Sequence, residues 1–393
     1  MLSTDAVPGG GGATFGNLGV PSINAQGCLA FNAGNATAIY STGRGRACGP
    51  LARAVGAGDQ PPGVLGPLFE VDGPSLNDDG SIAFRGFASD TSVRGLYLFL
   101  GQGRLRRIAD AATRRPGTSE TFLPFGPSYP VGGTGAHVVF GDSTSTTEGV
   151  YLATIAGVPK TITLGELVTQ AAGFTEVAGA EFSTNSSGVV ALALRRSSDL
   201  NYGVYLKVGS AALQPIAVAG DPAPGGGTFD AVVGPSINDA CDVAFVGFLP
   251  TRAGLFLRRA NGMKATLVST RTAVPNHPGV VFSRVGSPYL ASDRTLVFAG
   301  SYRVPDPVDP RFTIEFQGIY RRTGTVLEVI YDQFDGIVVD GVRVALVERI
   351  GPATVLRMAI DQRYATDQGN VSSVAFLQQL PGRRSGVFRA VRS

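Results

Sequence analysis

Side chains able to do chemistry gather in two stretches of a chain otherwise dominated by glycine, proline and aliphatic residues. The first is Ser301–Gln317, which places Asp306, Asp309, Arg311 and Glu315 close together. These are enough for a polar or cation site, yet an ordinary loop insertion stiffened by three prolines explains the stretch without a ligand. The second lies between Ile350 and Gln368 and holds Asp361, Arg363, Tyr364 and Asp367. It suits a polar ligand, or it only lengthens strands. Four acids, Asp5, Asp59, Asp110 and Asp221, recur in similar places. Together they suit a cation or a sugar, but an Asp at a turn more often accepts backbone N–H groups. Nine arginines, Arg44, Arg46, Arg104, Arg106, Arg107, Arg258, Arg259, Arg321 and Arg322, suit an anionic polymer if they share one rim. Charge at strand edges serves solubility as well.

Enzyme signatures are absent. His137 and His277 are the only histidines. His137 falls in a slot held elsewhere by Ser81, Asp242 and Thr295, which reads as an exposed strand position. His277 lies in a linking loop with no nucleophile in its local sequence. No GxSxG, HExxH or Walker motif occurs. The glycine runs at Gly9–Gly12 and Gly225–Gly227 lead into strands, whereas a phosphate cradle needs a helix N-terminus. Asn77-Asp-Asp-Gly80 lacks the alternating ligands and distal Glu of a calcium loop. No metal and no cofactor are expected.

These groups are carried by a repeat. Pro21–Phe31, Pro74–Phe84 and Pro235–Phe245 share one pattern, PS(I/L)N followed by a turn and an Ala-Phe pair. The closing residue recurs at Phe31, Phe84, Phe140, Leu192, Phe245, Phe298 and Phe376, in steps of 53, 56, 52, 53, 53 and 78 residues. A second marker precedes the motif at Phe15, Phe69, Phe122, Phe174, Phe229 and Phe282. A third follows it, Gly-(Leu/Val/Ile)-(Tyr/Phe), at Gly95–Tyr97, Gly149–Tyr151, Gly203–Tyr205, Gly254–Phe256, Gly318–Tyr320 and Gly386–Phe388. A fixed period of this length means one supersecondary unit copied along the chain. Each copy holds four short apolar runs bounded by Gly, Pro, Asn or Asp, which read as strands. The Asn-x-x-Gly between the first two is a hairpin turn, Asn bonding its own backbone and Gly supplying a positive φ.

The spacing therefore predicts an all-β, seven-bladed β-propeller of four-stranded antiparallel blades. The blades are 9–57, 58–110, 111–169, 170–220, 221–272, 273–332 and 333–393 plus 1–8. Met1–Pro8 resembles a fourth strand and its exit loop, so the N-terminal strand is expected to pair with the C-terminal blade, closing the ring. Charged residues make up 16% and the net charge is +3, too little to imply nucleic acid. No run is long and apolar enough for a membrane span. Cys28, Cys48 and Cys241 lack metal spacing. Cys28 and Cys48 fall in one blade and can pair in an oxidising compartment, although small buried thiols are the simpler reading.

The segments Asn24-x-x-Gly27-x-x-Ala30-Phe31 and Asn77-x-x-Gly80-x-x-Ala83-Phe84 resemble the bacterial tandem-repeat family named for its NxxGxxAF motif. Near matches follow at Asn185, Gly188, Ala191 and Leu192, and at Asn238, Ala244 and Phe245 with Cys241 in the Gly place. The resemblance implies an exported protein, extracellular or at the cell surface, and supplies no catalytic residues; without it the cytosol is the alternative. The expected function is that of a non-catalytic binding or surface-interaction propeller, with a glycan or protein ligand on its loop face. Its expected contacts are Asp306, Asp309, Arg311, Glu315, Asp361, Arg363 and Tyr364. The alternative is a carbohydrate-active enzyme, a polysaccharide lyase or glycoside hydrolase, with its site over the central channel.

Overall fold

A computed structural model describes the chain except for residues 1–4, 9–11, 20, 25–26, 35–36, 45–46, 64–65, 78, 89–93, 123–130, 135, 144–147, 158–160, 176, 178–180, 308, 335–336, 340–341, 345–356, 361–372, 381–383 and 392–393. Beyond Phe334 only the backbone is described. The described chain is a succession of antiparallel sheets in sequence order, each strand pairing with the next. Four-stranded sheets run from Ser22 to Gly56, Leu68 to Asp110, Val131 to Thr169, Ala231 to Ser269 and Phe282 to Asp332. Between the third and fourth of these lies a sheet from Phe174 to Ala217, whose first strand is split into Phe174–Thr175 and Phe182–Thr184. A three-stranded sheet, Arg357–Ile360, Ser373–Leu380 and Arg384–Val391, ends the order. From the sheet at Ser22 to the sheet at Phe282, the first strands of successive sheets lie against one another.

The three sequence markers converge on one cluster per sheet. In the sheet beginning at Phe282, the ring of Phe282 meets Tyr320 edge-on at 4.8 Å, and Phe298 stacks on Tyr320 at 5.6 Å. The same arrangement is built by Phe15, Phe31 and Tyr40, by Phe122, Phe140 and Tyr151, and by Phe229, Phe245 and Phe256. Edge-on pairs of this kind add roughly 0.5–1.5 kcal/mol to what ring burial contributes. Glycine in the third marker is explained by this packing. A Cβ at Gly149 would lie 2.5 Å from the Tyr151 hydroxyl, and one at Gly318 would lie 2.6 Å from that of Tyr320. The ring two residues on lies flat across the glycine. In the second sheet the leading position belongs to Leu68, which is buried, and not to Phe69, which is 42% exposed. A strand alternates faces at every residue, so the adjacent aromatic points outward.

The Asn-x-x-Gly turns behave as their residue types require, and do more. Gly27, Gly80 and Gly188 have φ of 76°, 78° and 77°, and Cys241 is held at 57° in the same place. Each Asn is buried. Asn238 Oδ1 accepts the Asp242 N–H at 2.9 Å, closing its own turn, while its Nδ2 donates to the Ala291 carbonyl of the next sheet at 3.0 Å. Asn24 reaches the Asn77 carbonyl at 3.1 Å and Asn185 that of Asn238 at 3.3 Å. The motif serine repeats the device one turn earlier: Ser22 and Ser236 accept N–H groups of Leu76 and Leu290, both at 2.9 Å. The signature residues thus tie one sheet to the next.

Cys28 and Cys48 form a disulfide, with Cα atoms 5.1 Å apart, so the reading of both as free thiols is corrected. Cys48 sits opposite Gly43 on the strand pair that extends the first sheet, where a bond back to the Asn24 turn holds the extension down. The expected pairing of the N-terminal strand lies largely outside the described residues; Ala6 bridges Thr14, as Pro222 does Thr228.

Substituting Asn238 by Ala leaves the Asp242 N–H unpaired and the Ala291 carbonyl with only the Arg294 N–H, which costs about 1–3 kcal/mol by chemical denaturation. Gly149→Ala is expected to destabilise by a similar amount, roughly 1–3 kcal/mol, because the Tyr151 ring has nowhere to move. Burial pushes the phenols of Tyr97 and Tyr151 up to about 12, helped at Tyr97 by the Asp110 carboxylate. A raised phenol pKa means stability held below the ordinary value of 10.0 and lost as the pH climbs towards about 12. Phenolate absorbance should therefore rise for these two tyrosines together with the loss of β structure.

Candidate functional site

The loops that link one sheet to the next close by a common device. Asp110 Oδ1 accepts the Ala112 N–H at 3.0 Å, Asp59 Oδ2 the Gly56 N–H at 2.8 Å and Asp221 Oδ2 the Val218 N–H at 3.3 Å. Asp59, Asp110 and Asp221 therefore hold turns, as the second of the two sequence readings states. Asp332 ends the fourth strand of the sheet beginning at Phe282 and accepts the Phe334 N–H at 2.9 Å in the same fashion. Here the device is elaborated.

Asp332 is buried, and a buried carboxylate must collect donors. Tyr302, on the second strand, donates its hydroxyl to Oδ1 at 2.7 Å. His277, from the loop entering the sheet, brings Nε2 to 3.1 Å from Oδ2 and 2.9 Å from the Tyr302 oxygen. The tyrosine proton is already given to Asp332, so both contacts of Nε2 face acceptors and the ring proton belongs on Nε2. In the neutral imidazole the lone pair is then on Nδ1, for which no hydrogen bond is found among the described residues. Asn276, with φ of 65°, turns the loop so that His277 comes back onto the sheet. The imidazole lies 4.6 Å from the Tyr302 ring and meets Phe334 edge-on at 5.2 Å. Phe334 in turn contacts Phe316 at 5.1 Å and is itself 52% exposed. The arrangement is an imidazole anchored on one nitrogen by a carboxylate, with no hydrogen bond on the other among the described residues, beside an apolar ring.

Next to it, the second and third strands, Leu296–Pro305 and Thr313–Thr323, run on beyond their neighbours as a two-stranded ribbon. Pairing with the first strand stops at Phe282–Tyr302 and with the fourth at Gly318–Asp332. This ribbon holds the expected ligand contacts Asp306, Asp309, Arg311 and Glu315. Its carboxylates are already engaged. Asp309 holds Arg311 through two contacts of 2.9 and 2.8 Å, and the guanidinium keeps the Asp309 carboxyl below the usual carboxylate range. Burial pushes Glu315 up, but Ser301 at 2.9 Å, Arg303 at 3.3 Å and Arg284 outweigh it and leave its carboxyl lowered. Asp306 is buried, not solvated as a surface loop implied, and accepts the Asp309 N–H at 3.4 Å. The ribbon is thus a self-paired hairpin that flanks the imidazole. Asp361, Arg363 and Tyr364 lie outside the described residues.

Three of the candidate arginines have structural partners. Arg107 pairs with Asp110 at 2.9 Å, Arg321 with Glu328 at 2.6 Å, and Arg322 bonds the Gly324 carbonyl at 2.9 Å. Arg46 lies outside the described residues. His137 is half-buried and not exposed: its Nε2 lies 2.8 Å from where a Cβ on Gly188 would sit. Burial lowers its pKa. Sequence reasoning missed the His277 cluster because its members are 25 and 30 residues apart and gain meaning only by register. One signal was legible: Tyr302 stands where other copies carry Ala88 and Leu249. Asp309→Ala with Arg311→Ala is expected to leave the melting temperature unchanged, since both groups are exposed at the ribbon tip; a clear drop would mean the pair holds the ribbon.

No curated protein sequence matches the chain. Solved structures similar to it include prolyl oligopeptidase B of Galerina marginata, at 9% identity and a TM-score of 0.46, covering 95% of this chain and 49% of that one. Dipeptidyl peptidase 4 of Porphyromonas gingivalis is similar at 7% identity and 0.42, covering 95% and 57%. Hsv2 of Kluyveromyces lactis is similar at 10% identity and 0.42, covering 95% and 99%. The chain thus spans about half the length of the two peptidases. These neighbours overturn the expectation of a non-catalytic binding or surface-interaction propeller, and the carbohydrate-active alternative is withdrawn with it. The lack of a catalytic sequence motif, on which that expectation rested, does not separate a binding module from part of an enzyme. A family profile described as a family of unknown function matches residues 76–380, and the chain belongs to that family, DUF7453.

Proposed function

We propose that this chain is an exported, peptidase-related enzyme domain in which His277 acts as general base. One observation carries the reading: a buried Asp332 and Tyr302 fix the His277 proton on Nε2 and leave the Nδ1 lone pair unengaged. An imidazole held by a carboxylate is the usual arrangement for taking a proton from an attacking group. In the proposed step, water adds to a peptide carbonyl and its proton passes to Nδ1. Asp332 stabilises the imidazolium. The proton then goes to the leaving amine as the C–N bond breaks. Export is supported by the Cys28–Cys48 disulfide, since such bonds persist in oxidising compartments.

The scaffold in this proposal is a closed ring of seven blades. Its support is that Ser22–Ile23, the first strand of the first sheet, lies against Arg357–Ile360 and Ser373–Leu380 of the last, as other first strands lie against their successors. The last sheet has three described strands, which leaves its fourth place for the N-terminal segment.

His277→Gln is expected to lower peptide cleavage by about 100-fold or more, read by mass spectrometry on a mixed peptide library, with the melting temperature unchanged. Cleavage at the original rate by this variant, or none by the parent protein, would sink the reading. Deleting residues 1–8 should lower the melting temperature of the whole chain, because closure couples every sheet; an unaltered melt removes the N-terminal strand from the ring.

A further inference from the structure

The ribbon beside His277 has a free edge, and its polarity can be worked out residue by residue. Gln317 on the third strand donates its N–H to the Gln333 side-chain oxygen at 3.1 Å and accepts the Gln333 N–H at 2.9 Å. Its backbone groups therefore point to the fourth-strand side. Backbone direction alternates along a strand, so Glu315 and Thr313 point to the same side, while Phe316 and Ile314 face the second strand. Two independent facts agree with this register. The Asp306 N–H donates to the Phe312 carbonyl at 2.9 Å, the next pair in the series Tyr302–Phe316 and Val304–Ile314. Pro305, which has no N–H, stands opposite Thr313, at a position that faces away from the ladder. Among the described residues no strand pairs with the edge at Thr313 and Glu315.

We infer that this edge binds an extended peptide segment, which adds as a strand in line with Val326–Asp332. The occupant is specified by complementarity of backbone donors and acceptors. The slot offers an N–H and a carbonyl at Glu315 and again at Thr313, the spacing of alternate residues in a β-strand and not that of a sugar or a nucleotide. Gln333 already imitates such an occupant at the first position, its side-chain amide doing what a further strand residue would do. The flanks suit a peptide as well. Phe316 is buried against Phe334, and Phe312 is 63% exposed at the ribbon tip, so alternate side chains of an added strand meet aromatic surface. That face is the one on which Tyr302 and the imidazole lie, since Tyr302 stacks on Phe316 at 5.9 Å. This deepens the reading of His277 by giving its substrate class and conformation, and rests on that reading for turnover alone.

The test uses the full chain and an end-blocked hexapeptide of alternating valine and threonine with one central phenylalanine, titrated calorimetrically. Saturable binding is expected, weakened at least tenfold by N-methylation at alternate backbone positions of one parity and unaffected at the other. Thr313→Pro removes one edge donor and should weaken binding at least tenfold. His277→Gln should bind as the parent does while losing cleavage. No binding, equal binding by both methylated series, or an unaltered affinity in a folded Thr313→Pro chain would each overturn the inference. The methylated series needs no variant, so misfolding of the proline substitution does not shield it. Normal edge binding with cleavage intact in His277→Gln would sink the catalytic reading and leave the edge site standing.

Discussion

One contact recurs through the molecule and everything else is arranged around it: an aromatic ring from the third strand lying flat over a glycine two residues before it. That contact forbids a Cβ at Gly95, Gly149 and Gly318, fixes the ring rotamer, and presents an edge to a ring at or ahead of the first strand and a face to one of the second. A single side chain thereby fixes the third strand against the second and against the segment that leads into the first. These buried rings are the largest side chains hidden in each sheet, and aliphatic residues such as Leu76, Ile82, Leu96 and Leu98 fill in around them. The burial of the tyrosine hydroxyls is the cost of using tyrosine there, and it appears as phenols that resist ionisation.

Legibility in the sequence followed chemistry that is local or periodic. The three markers, the four runs per copy and the positive φ at the Asn-x-x-Gly turns could be read because each depends on residues within one copy or one period away. Leu68 was misread in favour of Phe69 because an aromatic seemed the better match, although strand parity placed it on the outer face. The double role of Asn24, Asn185 and Asn238 was hidden for a different reason. A turn explained the residue fully, so nothing in the sequence demanded a second partner 53 residues on. His277 was hidden by the same logic in reverse: alone in its loop it suggested nothing, and its partners belong to two different strands.

The sixth four-stranded unit departs from the pattern in one direction only. Its first-to-second-strand turn keeps the common form, with Ala291 accepting the clasp from Asn238. Its opposite end carries Tyr302, Asp332, Phe334 and the extended ribbon. Charged side chains on that ribbon pair within it, Asp309 with Arg311 and Glu315 with Ser301 and Arg303. Among the described residues, Nδ1 of His277 shows no hydrogen bond, while its Nε2 is held by the buried carboxylate of Asp332.

The amide clasps between sheets have a direction. Asn24, Asn185 and Asn238 each give a side-chain N–H forward, to a carbonyl of the copy that follows. Asn77 turns its amide inward to Ser81 instead, and the copy beginning at Phe282 has Ala291 in that place, which accepts a clasp and passes none on. Where a clasp is made, a partial insertion at the turn would strand a buried amide. The length of those units is therefore held at the clasped end and free to change only at the other.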